Sequence, residues 1–279
     1  MSYDNYYNGG TNYNGDTYDN MSQWKIRAES LYSDRDIWTP TATRYFPLGA
    51  TAESRDGRKW KYCQNGAVAL TVARLTQTPT QDAEMVTSLA QTAYGVSAGA
   101  KRFDVLATTG NAIADSDLIE GWLIVSDGSA TAMGHMYKIK DNKQVVAGTD
   151  TAITIEIADQ GGIRVAIAAT DDLCFLENRF KGLLVTTEAP VGNIIGVSPT
   201  AVLANYYFWA QYRGPCPVII DDTDTIVVGD PVMASVDSTA ASDGTVCLVD
   251  ASADDFIVGY CMMTGAVSET AVINLTLPG

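Results

Sequence analysis

Hydrophobic and polar residues alternate with a period of two along much of the chain. Ile153, Ile155 and Ile157 oppose Thr154 and Glu156, Tyr137 and Ile139 oppose Lys138 and Lys140, and Ile273, Leu275 and Leu277 oppose Asn274 and Thr276. Successive side chains of a strand point to opposite faces, so these runs predict half-buried antiparallel strands. Three further runs, 218–220, 226–228 and 256–258, are apolar without a break, the pattern of strands covered on both faces. Between the runs recur Asp56-Gly57, Asn65-Gly66, Asp127-Gly128, Gly161-Gly162 and Asp243-Gly244, pairs that supply the positive φ of tight hairpin turns. One segment, 80–90, sets Ala83, Val86, Leu89 and Ala90 on one side of a short helix. Nothing else sustains a 3.6-residue period, and there is no repeat of fixed length. The expected class is all-β: antiparallel β-sandwich or small β-barrel domains with little helix and an extended N-terminal arm.

The densest hydrophobic stretch is 205–221, where Tyr206, Tyr207, Phe208, Trp209 and Tyr212 fall within seven residues. On a strand, Tyr207, Trp209 and Gln211 share one face and Tyr206, Phe208 and Ala210 the other. Such a strand is either sandwiched in a core or pressed against another subunit. Gly214-Pro215-Cys216-Pro217 breaks the aromatic run, and Arg213 is the last basic residue; beyond it come ten acidic residues and no Lys or Arg. This change of composition suggests a domain junction. Three regions follow: an arm over 1–41, a larger β domain over 42–205 and a small acidic β domain over 206–279. An alternative pairing would join 42–100 to the C-terminal strands and leave 101–200 as an insertion. The first 23 residues are rich in Tyr, Asn, Gly and Asp and too poor in aliphatic side chains to build a core. They form either a disordered tail or an arm that orders by laying its tyrosines on a partner.

At 279 residues the chain is long enough for two modest domains. Its formal net charge of −15 argues against sequence-independent nucleic-acid binding and against an anionic membrane surface. No apolar run reaches the roughly 18 residues of a membrane span, and the N-terminus has neither the basic start nor the apolar core of a secretory signal. Cys63, Cys174, Cys216, Cys247 and Cys261 include no Cys-x-x-Cys pair, which favours buried reduced thiols over zinc clusters or a disulfide framework.

Candidate chemistry is sparse. The one histidine, His135, sits between methionines before a strand, without a Gly-x-Ser-x-Gly elbow, so a Ser–His–Asp or Cys–His mechanism has a single residue to pass through. Asp171-Asp172, Asp221-Asp222, Asp224 and Asp254-Asp255 could in principle supply paired carboxylates for glycoside hydrolysis. Adjacent strand residues face opposite ways, however, and Asp is favoured in turns for local backbone bonding. Asp221-Asp222-Thr223-Asp224 lacks EF-hand spacing, and no phosphate-cradling Gly-rich loop is present. The expectation is a non-enzymatic protein without a cofactor or metal, whose product is an interface.

Two segments carry a resemblance. One is Arg44-Tyr-Phe-Pro-Leu-Gly through Asp56-Gly-Arg-Lys-Trp-Lys-Tyr62, followed by Asn65-Gly and Ala69-Leu70. The other runs from Gly121-Trp-Leu-Ile-Val-Ser-Asp-Gly128 through Asn178-Arg-Phe-Lys-Gly182 to Tyr207-Phe-Trp-Ala-Gln-Tyr-Arg-Gly-Pro-Cys216, closing with Val228-Gly-Asp-Pro-Val232. Together they resemble head decoration (cement) proteins of tailed bacteriophages and related viruses. That resemblance implies a structural virion protein on the outer surface of the capsid, made in the host cytoplasm. It would bind the major capsid protein, commonly as a trimer, and tie neighbouring coat subunits together. Tyr6, Tyr7, Trp24, Trp38, Tyr207, Trp209 and Tyr212 are the candidate interface anchors, because Trp and Tyr dominate contact energies. The alternative is a carbohydrate-binding or receptor-contacting β-module, such as a head fibre, that uses exposed aromatic platforms.

Overall fold

A computed structural model describes residues 25–27, 37–81, 95–106, 112–128, 131–146, 152–187, 190–221, 225–237, 241–249, 256–266 and 268–279. Its strands are β1 (Lys25–Arg27), β2 (Thr51–Glu53), β3 (Lys59–Gln64) and β4 (Arg74–Gln77), then β5 (Arg102–Leu106), β6 (Trp122–Asp127), β7 (Met136–Asn142), β8 (Ala152–Ile157) and β9 (Asp172–Leu176). They continue with β10 (Leu184–Val185), β11 (Ile194–Ser198), β12 (Tyr207–Ile219), β13 (Pro231–Ala234), β14 (Val246–Leu248), β15 (Gly259–Met263) and β16 (Thr270–Thr276). The protein is all-β among the described residues, and every strand pair is antiparallel except β1–β2. The helix expected over 80–90 lies, beyond Gln81, outside the described residues.

The described residues divide into two compact units, one formed by 81–178 and one by 21–80 together with 179–279. The first unit is a five-stranded sheet in the order β5-β8-β7-β6-β9. Its core follows the period-two pattern: Ile153, Ile155 and Ile157 of β8 and Tyr137 and Ile139 of β7 are buried with Leu123, Val125 and Leu173, while Thr154, Glu156, Lys138 and Lys140 are half-buried. Buried Asn142 ties the 114–118 turn to this sheet. Its Oδ1 accepts from Leu118 N at 2.7 Å and its Nδ2 donates to Ala114 O at 2.8 Å.

The second unit is built on β12. On one edge β12 pairs with β3, Tyr207 opposite Gln64 through Arg213 opposite Lys59. It also pairs with β11 at Gln211 opposite Val197, and with β16 from Arg213 opposite Thr276 to Ile219 opposite Thr270. The sheet order β1-β2-β3-β12-β16-β15-β13-β14 therefore runs through this strand, with β4, β10 and β11 attached beside it. The place expected as a domain junction lies inside one strand of one unit, because β12 continues through Gly214-Pro215-Cys216-Pro217.

The prolines are tolerated for a geometric reason. Alternate N–H groups of a strand point to opposite edges. Ile220 N donates towards β16, to Glu269 O, whereas Ile219 N donates the other way, to Ala73 O. By alternation, residues 215 and 217 face the same edge as Ile219, between the end of β3 and Ala73, where neither ladder needs a donor. Proline fits a strand only at such positions.

Other expectations are also corrected. Asn65-Gly66 closes no hairpin; Asn65 bridges Leu183 in parallel, and Gly66 N donates to Leu183 O. Asp56-Gly57 does form the β2–β3 turn, with Gly57 at φ 87°. Of the unbroken apolar runs, 218–220 belongs to β12 and its continuation, with Val218 and Ile220 buried. The other two are not strands covered on both faces: 226–228 leads into a turn and 256–258 leads into β15, and Val227, Val228, Phe256 and Ile257 are exposed.

All five cysteines are free thiols. Burial raises the Cys63 thiol far above its ordinary range and pushes Cys216 from 9.0 up to about 12, since desolvation disfavours the thiolate. A folded-state value above the unfolded one gives stability that is fully present below pH 9.0 and lost as pH rises towards about 12. Urea midpoints measured across this window are expected to fall with rising pH, with a shallower slope in Cys216→Ala. A slope unchanged by that substitution would show that Cys216 does not contribute to the loss.

Candidate contact surface

The aromatic run of β12 is covered on both faces by its own unit. On one side Trp209 meets Phe46 at 5.3 Å and Tyr62 at 5.0 Å between ring centroids, and Tyr62 stacks on Tyr207 at 5.9 Å. Phe46 and Tyr62 pack edge to face at 5.2 Å, a favoured arrangement for aromatic quadrupoles. On the other side Phe208 and Ala210 pack with Cys63, Leu70, Leu183, Ile195 and Val202. The strand arrangement expected from the alternation is present, and it makes Trp209 and Tyr212, 2% and 7% exposed, core residues with little surface to offer a partner. Tyr207 is half-buried under Tyr62. Trp38 is 48% exposed. Tyr6, Tyr7 and Trp24 lie outside the described residues.

The titratable candidates are engaged locally. His135 Nδ1 lies 3.1 Å from the hydroxyl of Tyr137, which also accepts from Arg164 N at 3.2 Å. The buried Asp171 carboxylate accepts from Ala168 N at 2.8 Å, the turn-holding role that Asp favours. Buried Asp221 accepts from the hydroxyls of Ser235 and Ser242. Asp222, Asp224, Asp254 and Asp255 lie outside the described residues. Half-buried Lys61 donates from its ammonium to Thr51 Oγ1 at 2.9 Å and sits 5.6 Å from the ring centroids of both Phe180 and Tyr212. Burial lowers its pKa. Two aromatic rings, the Thr51 hydroxyl and the Gly49 carbonyl at 3.5 Å surround it, so it serves as a packed cation of the sheet.

Two exposed apolar surfaces went unrecognised in the sequence. In the first unit, strand register aligns Met136, Ile124 and Cys174 in one row across β7, β6 and β9, and Lys138, Trp122 and Leu176 in the next. This is the face opposite the core. Met136 and Leu176 are exposed and the other four residues half-buried, with the Lys138 ammonium 4.7 Å over the Trp122 ring. The period-two pattern reports only that one face is buried, and Trp122 and Ile124 look like core residues in any linear reading. In the second unit the surface lies on β15 and its flanking turns. Nine of the eighteen exposed large hydrophobic side chains among the described residues fall within 227–263, inside the acidic region. Tyr260 and Met262 alternate with buried Gly259 and Cys261 on β15. The Val227–Asp230 turn is pinned beside them by Gly229 N donating to Cys261 O at 2.8 Å.

Comparison with protein-family models, curated proteins and solved structures finds no match. Among the described residues no helix is long and apolar enough to cross a membrane.

Two tryptophans separate core from surface. Trp209→Ala is expected to lower unfolding free energy by about 3–5 kcal/mol, and Trp38→Ala by no more than about 0.5 kcal/mol, in chemical denaturation followed by far-UV circular dichroism. Equal losses at both positions would refute the assignment of Trp209 to the core.

Proposed function

We propose that this chain is a structural virion protein that binds the outside of an assembled capsid and stabilises it by bridging neighbouring coat subunits. The observation that carries this reading is the presence of separate apolar surfaces on a strongly acidic all-β chain. One is the outer face of β7-β6-β9 and the other is the region around β15. Contiguous exposed apolar area on a soluble protein marks a contact site, and a bridging protein needs more than one. Several individually weak contacts then combine into firm attachment. A protein that binds only the intact lattice stabilises that lattice by linkage. The sequence resemblance to phage head decoration proteins supports the same role, with the major capsid protein as partner and the outer capsid surface as location.

A receptor- or carbohydrate-contacting module is the competing reading, favoured by exposed Trp38. Glycan binding that disappears in Trp38→Ala would support it.

Heating particles assembled with and without the protein tests the proposal. Genome release is expected at a temperature several degrees higher when the protein is present; release at the same temperature would sink the stabilising role. Met136→Glu, on the exposed sheet face, is expected to reduce occupancy on particles at least about tenfold while the isolated protein melts as before. Full occupancy would remove that face from the attachment site.

A further inference from the structure

We infer that Asn65-Gly66 is a latent self-modification site: the fold holds the pair shut, and opening of the loops around it lets the chain convert Asn65 irreversibly to aspartate or isoaspartate. The pair closes no hairpin in the fold, and the inference stands whether or not the chain decorates a capsid.

Packing accounts for both residues. Asn65 is 1% exposed, and its Nδ2 donates to Val68 O at 2.8 Å and to Leu203 O at 3.0 Å, which draws two loops together. Gly66 is not there for a positive φ. A Cβ at this position would lie 3.0 Å from Leu183 O and 3.1 Å from Gly182 O, so the close approach of the 182–183 backbone calls for glycine. The same two residues in this order form the dipeptide most prone to lose the side-chain amide, because no side chain on glycine obstructs attack by its backbone nitrogen.

In that reaction Gly66 N gives up its proton to hydroxide and attacks Asn65 Cγ. The N–Cγ bond forms, the Cγ–Nδ2 bond breaks, and ammonia leaves with a proton from water. Water then opens the cyclic imide at either carbonyl, giving aspartate or isoaspartate, with no oxidant, cofactor or second protein involved. The fold engages both reacting groups elsewhere. Gly66 N donates to Leu183 O at 2.8 Å, and on the other side of the residue Asn65 N donates to Tyr206 O at 2.8 Å. Attack requires Gly66 N to leave Leu183 O and the Asn65 amide to leave its two carbonyls, which is a local opening of the 65–70 and 202–206 segments.

The product does not fit the place that asparagine left. A carboxylate only accepts hydrogen bonds, so aspartate would face the carbonyls of Val68 and Leu203 with no proton to give them and would bury an unpaired charge. Asn65 Oδ1 is already buried without a hydrogen-bond partner, so no donor waits there for the new oxygen. Isoaspartate adds one carbon to the main chain and moves Gly66 N away from Leu183 O. The two loops therefore do not close again, and a chain that has opened loses the apolar tips they present, Val68 and Leu203, which are 68% and 59% exposed.

The test holds the purified full chain at mildly alkaline pH, with and without denaturing urea, and follows the peptide containing Asn65 by mass spectrometry. In urea Asn65 is expected to convert at a rate similar to Asn8 and Asn14, the other asparagines that precede glycine. Without urea its conversion is expected to be at least about a hundredfold slower, because only the opened fraction reacts, and to speed up in urea below the unfolding midpoint. Equal rates in folded and unfolded chain overturn the inference, as does a folded-state rate that urea below the midpoint leaves unchanged. After partial conversion and removal of urea, the refolded, protease-resistant fraction is expected to contain at least about tenfold less converted Asn65 than the whole sample. Equal amounts in the two would show that the product closes the loops as asparagine does, and the irreversible step would fall.

Discussion

The second unit depends on β12 being covered on both faces and paired along both edges. A strand of this length with bare faces would expose Phe208, Trp209 and Tyr212 at a cost of about 1.5–3 kcal/mol for each large side chain. Its own chain supplies the cover: Phe46, Trp60 and Tyr62 on one side, and Leu70, Phe180 and Ile195 on the other. Close approach of neighbouring strands is part of that arrangement. A Cβ on Gly196 of β11 would lie 2.6 Å from Gln211 O, so glycine there lets β11 lie flush against β12.

Such a long strand must also change partners midway. Pairing with β3 ends at Arg213 and pairing with β16 begins there, after a register shift between Gln211 and Arg213. Gly214, at φ 82°, takes up the left-handed conformation this transition requires. The carbonyls freed by the irregularity are recaptured by one buried side chain: Gln211 Nε2 donates to Arg213 O at 3.1 Å and Pro215 O at 2.8 Å. A buried carbonyl without a donor is costly, so Gln211 on an otherwise aromatic face is the polar residue the bulge demands. Pro215 and Pro217 then lie between the end of β3 and Ala73, on the stretch of that edge where neither ladder needs a donor.

These details explain which parts of the fold could be read from the sequence. Strands that obey period two with one wet face, such as β7, β8 and β16, were legible because alternation is a direct imprint of half burial. The continuity of β12 was not legible. Gly-Pro-x-Pro is a strong breaker signal in isolation, and only the placement of Ala73 and Glu269 about Ile219 and Ile220 shows which edge those prolines face. The aromatic run offered core or contact on equal terms. The structure resolves it as core, because Phe46 and Tyr62, far away in sequence, close over Trp209.

The misread runs 226–228 and 256–258 bear on function for the same physical reason. An apolar triplet is the same string of letters whether it fills a core or waits at a surface, since transfer from water drives both folding and association. Charge separates the two cases. A core strand is free of nearby ionic requirements, whereas Val228, Tyr260 and Met262 sit in a stretch whose sixty-six residues from Gly214 contain acids and no base. Uniform charge of one sign keeps exposed apolar side chains of identical copies from meeting at random, since like patches repel, and leaves them available to a surface of opposite sign. The lack of any Lys or Arg after Arg213 was visible in the sequence as a change in composition. In the folded unit the described acids Asp230, Asp237, Asp243 and Glu269 belong to the same stretch as exposed Val228, Tyr260 and Met262.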